Sequence, residues 1–91
     1  MAHRLPIDGT LDLHAFQPRD VAQVVEAYLE ACAESGVLEV RVVHGKGIGA
    51  LRRTVEAVLR RHPLVASFHL ADETGGGRGA TLVRLRGGGG S

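Results

Sequence analysis

The chain has 91 residues, 44% hydrophobic and 23% charged, with a formal net charge of +1 and one cysteine. That suffices for one domain with a modest core; it offers no apolar run near the roughly 20 residues that span a bilayer, no secretory signal and no intramolecular disulfide. The near-neutral total hides a split, −5 over residues 1–40 and +6 over residues 41–91, which suggests either a polyanion partner meeting one face or simply solvated charged faces.

Residues 1–9, with Pro6 and Gly9, show little periodicity and read as an N-terminal arm. TLDLHAF, residues 10–16, alternates Leu11 and Leu13 with Asp12 and His14, the period-two pattern of a short strand with its leucines inward. Over 17–36, Val21, Val24, Val25, Tyr28, Leu29 and Cys32 recur at helical spacing; Pro18 suits the first turn and Gly36 the stop. VLEVRVVH, residues 37–44, is a second strand, rich in valine and expected to be buried on part of both faces. HGKGIG, residues 44–49, then turns the chain into an amphipathic helix over 50–62, with Leu51, Val55, Val58 and Leu59 on one side and His62-Pro63 at its end. LVASFHLA and ATLVRLR are two further strands joined by the glycine-rich loop DETGGGRG, and GGGGS, residues 87–91, reads as a flexible tail.

The order β-α-β-α-β-β defines an α/β fold. Strand–helix–strand connections favour parallel neighbours and the final hairpin an antiparallel pair. The expected architecture is a four-stranded mixed sheet with two helices on one face or, alternatively, one on each.

Parallel strands bring their carboxyl ends to one edge, where open α/β sheets gather ligands. His14 and His44 would share that edge beside the glycine turn. Gly45, Gly47 and Gly49 let backbone amides approach an anion at the start of a helix, and Lys46 adds a full charge. Arg52 and Arg53 follow in the first helical turn, and Arg78 sits in the late loop. The turn is neither a Walker A loop nor G-x-G-x-x-G, and the alternative is that its glycines only permit a sharp turn.

Asp12 and His14, two apart on a strand, would project from one face. A carboxylate there can orient the imidazole and stabilise its protonated form for acid–base work; alternatively the pair is only a local cap and a polar strand end. Cys32 reads as a small buried hydrophobe that fits a reducing cytoplasm. Ser35 and Ser67 have no identifiable base, and Asp12, His14 and His44 lack the spacing of a metal site. His3, His62 and His69 read as structural or incidental. With three aromatic residues the chain supplies a base-stacking platform poorly; Phe16 either stacks on a base or staples the first helix.

LDLH before a helix, VRVVHGKGIGALRRTVEAVLRRHPLVASFHLA, and then GGGRGATLVRL closely resemble the Smr (small MutS-related) domain over residues 10–86. The resemblance implies a two-layer α/β sandwich like the C-terminal domain of bacterial translation initiation factor three. It also implies endonuclease activity, with the LD-x-H element on Leu11, Asp12 and His14 and the H-G-x-G element on His44, Gly45 and Gly47. Where many members follow LDLH with glycine, this chain has Ala15.

The reading that follows is a nucleic-acid endonuclease of low sequence specificity. His14, oriented by Asp12, and His44 would be catalytic, with Gly45, Lys46, Gly47, Gly49, Arg52, Arg53 and Arg78 holding phosphates. RNA could supply its own 2′-hydroxyl nucleophile without a metal, whereas DNA hydrolysis makes Mg2+ or Mn2+ more plausible. The alternative is a non-catalytic nucleic-acid or ribosome-binding module. Either is expected to be cytoplasmic, without a membrane association, and a monomer or weak homodimer.

Overall fold

The computed structural model describes residues 8–45, 49–71 and 79–87. The first seven residues of the expected arm, the centre of the glycine turn, residues 72–78 and the last four tail residues lie outside them. The described elements run β1 (Thr10–Asp12), two single-turn 3-10 helices (Leu13–Ala15 and Pro18–Asp20), α1 (Val21–Glu34), β2 (Glu39–Val43), α2 (Ala50–Arg61), β3 (Val65–Leu70) and β4 (Ala80–Leu85).

The four strands form one sheet in the order β1-β2-β4-β3. β1 runs parallel to β2, with Leu11 opposite Val42, while β4 is antiparallel to both its neighbours. One face of the sheet supplies Leu11, Val40, Val42, Val83 and Leu85 to a core completed by Val25, Leu29 and Cys32 of α1 and Val55, Val58 and Leu59 of α2. Both helices therefore cover the same face. Along β2 Val40 and Val42 are buried on the core face while Arg41 and Val43 are half-buried on the other, in line with the expected burial on part of both faces. Among the described residues no helix is long and apolar enough to cross a membrane.

The first strand differs from its expected extent. The expected strand spans residues 10–16, but β1 ends at Asp12 because the Asp12 carboxylate accepts the His14 backbone N–H at 2.9 Å. That side-chain turn competes with the strand ladder for the backbone. Leu13 still points inward and is 1% exposed; His14 sits on a helical turn and not on a strand.

Two local devices fix α1 against the sheet. Its end is a Schellman arrangement in which the Val37 N–H bonds Cys32 O at 2.8 Å and the Gly36 N–H bonds Ala33 O at 3.1 Å. At mid-helix the Tyr28 hydroxyl accepts the Gly9 N–H at 3.2 Å and reaches Thr10 O at 3.1 Å. The helix is thereby tied to the chain entering β1.

Candidate active site at the carboxyl edge of the parallel strands

β1 and β2 end side by side, Asp12 opposite Val43. The residues that follow each strand, Leu13–Ala15 and His44-Gly45, therefore meet at one edge. An added Cβ on Gly45 would lie 3.5 Å from His14 Nε2 and 3.8 Å from its Cε1, so the His14 ring stands against the first glycine of the turn. Gly45 has φ +81°. At that distance a methyl would make ordinary contact, so it is the left-handed backbone that calls for glycine here.

His14 is exposed and oriented. Its Nδ1 lies 2.6 Å from Asp12 Oδ1, the same oxygen that accepts its backbone N–H, and the two side chains are 67% and 61% exposed. An ionised carboxylate only accepts, so Nδ1 carries the proton and, in the neutral ring, the Nε2 lone pair is open beside Gly45.

His44 faces the other way. It is 7% exposed, with Nδ1 3.2 Å from Gly45 O and Nε2 2.9 Å from Thr81 Oγ1. A carbonyl also only accepts, so Nδ1 again holds the proton and Nε2 accepts from the Thr81 hydroxyl. Both nitrogens are occupied by protein. The expected convergence of two exposed imidazoles is thus replaced by one open ring, that of His14, and one closed ring that fixes the Gly45 carbonyl. Thr81 had no place in the expected site, although it shares the core-facing parity of Val83 and Leu85 in ATLVRL.

The backbone amides divide similarly. His44 N–H and Gly45 N–H both donate to Gly79 O, at 3.0 and 2.9 Å, so the Gly45 amide is not the free donor expected for an anion. It splices the turn to the strand of β4. Gly49, at φ +85°, starts α2 with no side-chain cap, and its carbonyl accepts the Arg53 N–H at 3.0 Å. The first turn of α2 holds no acid and carries Arg52 and Arg53. Two cations at the positive end of a helix oppose its dipole, an arrangement that an anion would relieve. Arg52 is partly engaged by Glu56 at 3.5 Å, whereas Arg53 makes no ion pair with a described residue. Lys46, Gly47 and Arg78 lie outside the described residues.

No three His, Cys, Asp or Glu side chains gather to hold a metal among the described residues. A cavity of about 370 Å³ lies on the uncovered sheet face, lined by Arg41, His69, Leu82 and Arg84 among others; it shares no lining residue with the His14 edge.

A family model described as the Smr domain matches residues 11–86. The chain is 36% identical over 77 residues to the Endonuclease MutS2 of Clostridium novyi, an alignment covering 85% of this chain and 10% of that protein. The crystal structure of the Smr domain of Thermus thermophilus MutS2 superposes with a TM-score of 0.78 at 38% identity, covering 85% of this chain and 96% of that one. YdaL, a stand-alone small MutS-related protein from Escherichia coli, superposes with a TM-score of 0.78 at 25% identity, covering 89% and 66%. The chain therefore spans about a tenth of the length of the curated relatives it matches.

Proposed function

The chain belongs to the Smr domain family, and on that premise we propose that it is a nucleic-acid endonuclease module acting on the sugar–phosphate backbone with little sequence specificity. The observation that carries the reading is the open Nε2 of His14, set beside Gly45 by the Asp12 carboxylate. A relative named Endonuclease MutS2, matched over 77 residues that make up 10% of its length, supports it. The acting unit spans residues 10–86, between an arm and a tail, and its lone buried thiol suits a cytoplasmic location.

On RNA, Nε2 removes the proton of the 2′-hydroxyl as that oxygen attacks phosphorus. The 5′-oxygen leaves and takes up a proton, which yields a cyclic phosphate and a free 5′-hydroxyl. On DNA, water attacks phosphorus as Nε2 takes its proton; one P–O ester bond breaks, and the departing sugar oxygen takes up a proton from solvent. The start of α2, with Arg52, Arg53 and the Gly49 amide, faces the charge that builds on the non-bridging oxygens; Lys46, Gly47 and Arg78 add to it. His44 acts through Gly45, holding the first peptide of the turn, and is a positioning residue. For Mg2+ or Mn2+, the described side chains at the edge form no resident donor set, since both His44 nitrogens are engaged and no third carboxylate or imidazole among the described residues joins Asp12 and His14.

The test is cleavage of end-labelled single- and double-stranded RNA and DNA, with and without a chelator. His14→Ala is expected to lower the rate by about 10²–10⁴-fold while leaving binding within a few-fold. Cutting by His14→Ala at the wild-type rate would remove His14 from the chemistry. A second reading, a nucleic-acid or ribosome-binding module without catalysis, is favoured by the single open imidazole; wild type that binds and never cuts would establish it.

A further inference from the structure

The exposed face of α2 carries more charge than the edge chemistry uses. Four arginines, Arg52, Arg53, Arg60 and Arg61, share that helix with one acid, Glu56. Seven residues separate Arg53 from Arg60, about two turns, so they point within about 20° of each other and lie about 10.5 Å apart along the axis. Both are exposed, opposite the buried Val55, Val58 and Leu59. The Arg60 side chain is 70% exposed, and its contact with Glu56 is long, at 3.8 Å. Arg61 is directed sideways onto Glu26 of α1 at 3.1 Å.

The neighbouring helix has the opposite charge. α1 contains Glu26, Glu30 and Glu34 and no lysine, arginine or histidine. A polyanion approaching the helix layer is repelled by α1 and attracted by α2, which confines it to one lane. That lane starts at Gly49, the end of the turn that begins against His14.

We infer that the outward ridge of α2, anchored by Arg53 and Arg60, is a docking lane for nucleic-acid backbone leading away from the His14 edge. Measured along the axis of a DNA duplex, the Arg53–Arg60 interval corresponds to about three base-pair steps at 3.4 Å of rise each. Arg60 contacts a phosphate that is not being cut, adding affinity and orientation without sequence information. The inference rests on the nucleic-acid reading above and extends it to a residue remote from the chemistry.

Equilibrium anisotropy of the full chain with labelled RNA and DNA oligonucleotides, titrated over a salt series, tests it. Arg60→Ala is expected to weaken binding several-fold at low salt. The slope of log affinity against log salt should fall by about 0.9 on duplex DNA or about 0.7 on a single strand, one phosphate contact. Arg60→Lys should restore most of the slope, and Arg84→Ala, on the opposite face of the sheet, should match wild type. Circular dichroism melts confirm that each variant folds. A wild-type slope in Arg60→Ala overturns the lane and leaves the nucleic-acid reading standing; wild type that binds none of the oligonucleotides overturns both.

Discussion

A carboxylate can only accept a hydrogen bond, whereas a threonine hydroxyl can also donate, so the partners of His14 and His44 decide which ring nitrogen keeps a lone pair for other work. Asp12 leaves that lone pair open on His14; Thr81 fills it on His44 at 2.9 Å. Replacing Thr81 with valine keeps the volume and removes the donor. The buried Nε2 then has no partner, which is expected to cost about 1–3 kcal/mol in denaturant unfolding and to lower cleavage by loosening the Gly45 carbonyl. Unchanged stability would show that His44 is held by packing alone. The spacing of Asp12 and His14 pointed to their pairing correctly, but by a strand geometry that the molecule does not use. The role of His44 was not readable in the same way. Its partner lies 37 residues away in the chain, and nothing local in VRVVHG distinguishes a histidine facing outward from one facing a threonine on a neighbouring strand.

The helices were the most readable elements because each repeats one apolar stripe over several turns, and their ends follow backbone rules. β1 was the least readable, since a single side-chain bond from Asp12 overrode an alternation that continued past it through Leu13 and His14. The start of α2 turns on a similar local choice. Gly49 holds φ +85° with no side-chain cap, so its amide end is open and its conformation is one that a Cβ disfavours. Gly49→Ala is expected to destabilise the domain by about 1–2 kcal/mol. Gly49→Asn should cost less, since asparagine tolerates the left-handed region. Thermal melts of both variants measure the difference. Equal melting of wild type and Gly49→Ala would mean that the helix can begin from another backbone conformation. If the open amide end binds phosphate, both variants should also weaken oligonucleotide binding in proportion to their loss of local structure.

A two-layer domain with all its helices on one side depends on the seam where those helices meet the sheet, and in this protein two ionisable groups line that seam. Burial, the larger cause in each case, raises the Tyr28 phenol above its ordinary 10.0 and the Cys32 thiol above its ordinary 9.0. For Tyr28 the neighbouring Cys32 adds to the rise, and for Cys32 the Tyr28 hydroxyl partly offsets it. Both groups are neutral when protonated, and the folded state holds those protons more tightly than the unfolded chain. Their contribution is therefore complete below the unfolded values and is lost as pH rises through the folded ones. Stability should be flat near neutrality on their account and decline from about pH 9 upward, first as the unfolded thiol ionises and then the unfolded phenol. The loss should be cooperative, because ionised Tyr28 could no longer donate to Thr10 O, where α1 is tied to the entry of β1. Urea unfolding at a series of alkaline pH values reads the decline directly. Cys32→Ala should remove its earlier part and Tyr28→Phe its later part, each at a fixed cost at neutral pH from lost packing or lost hydrogen bonds. An alkaline decline that persists undiminished in both variants would place its origin elsewhere in the fold.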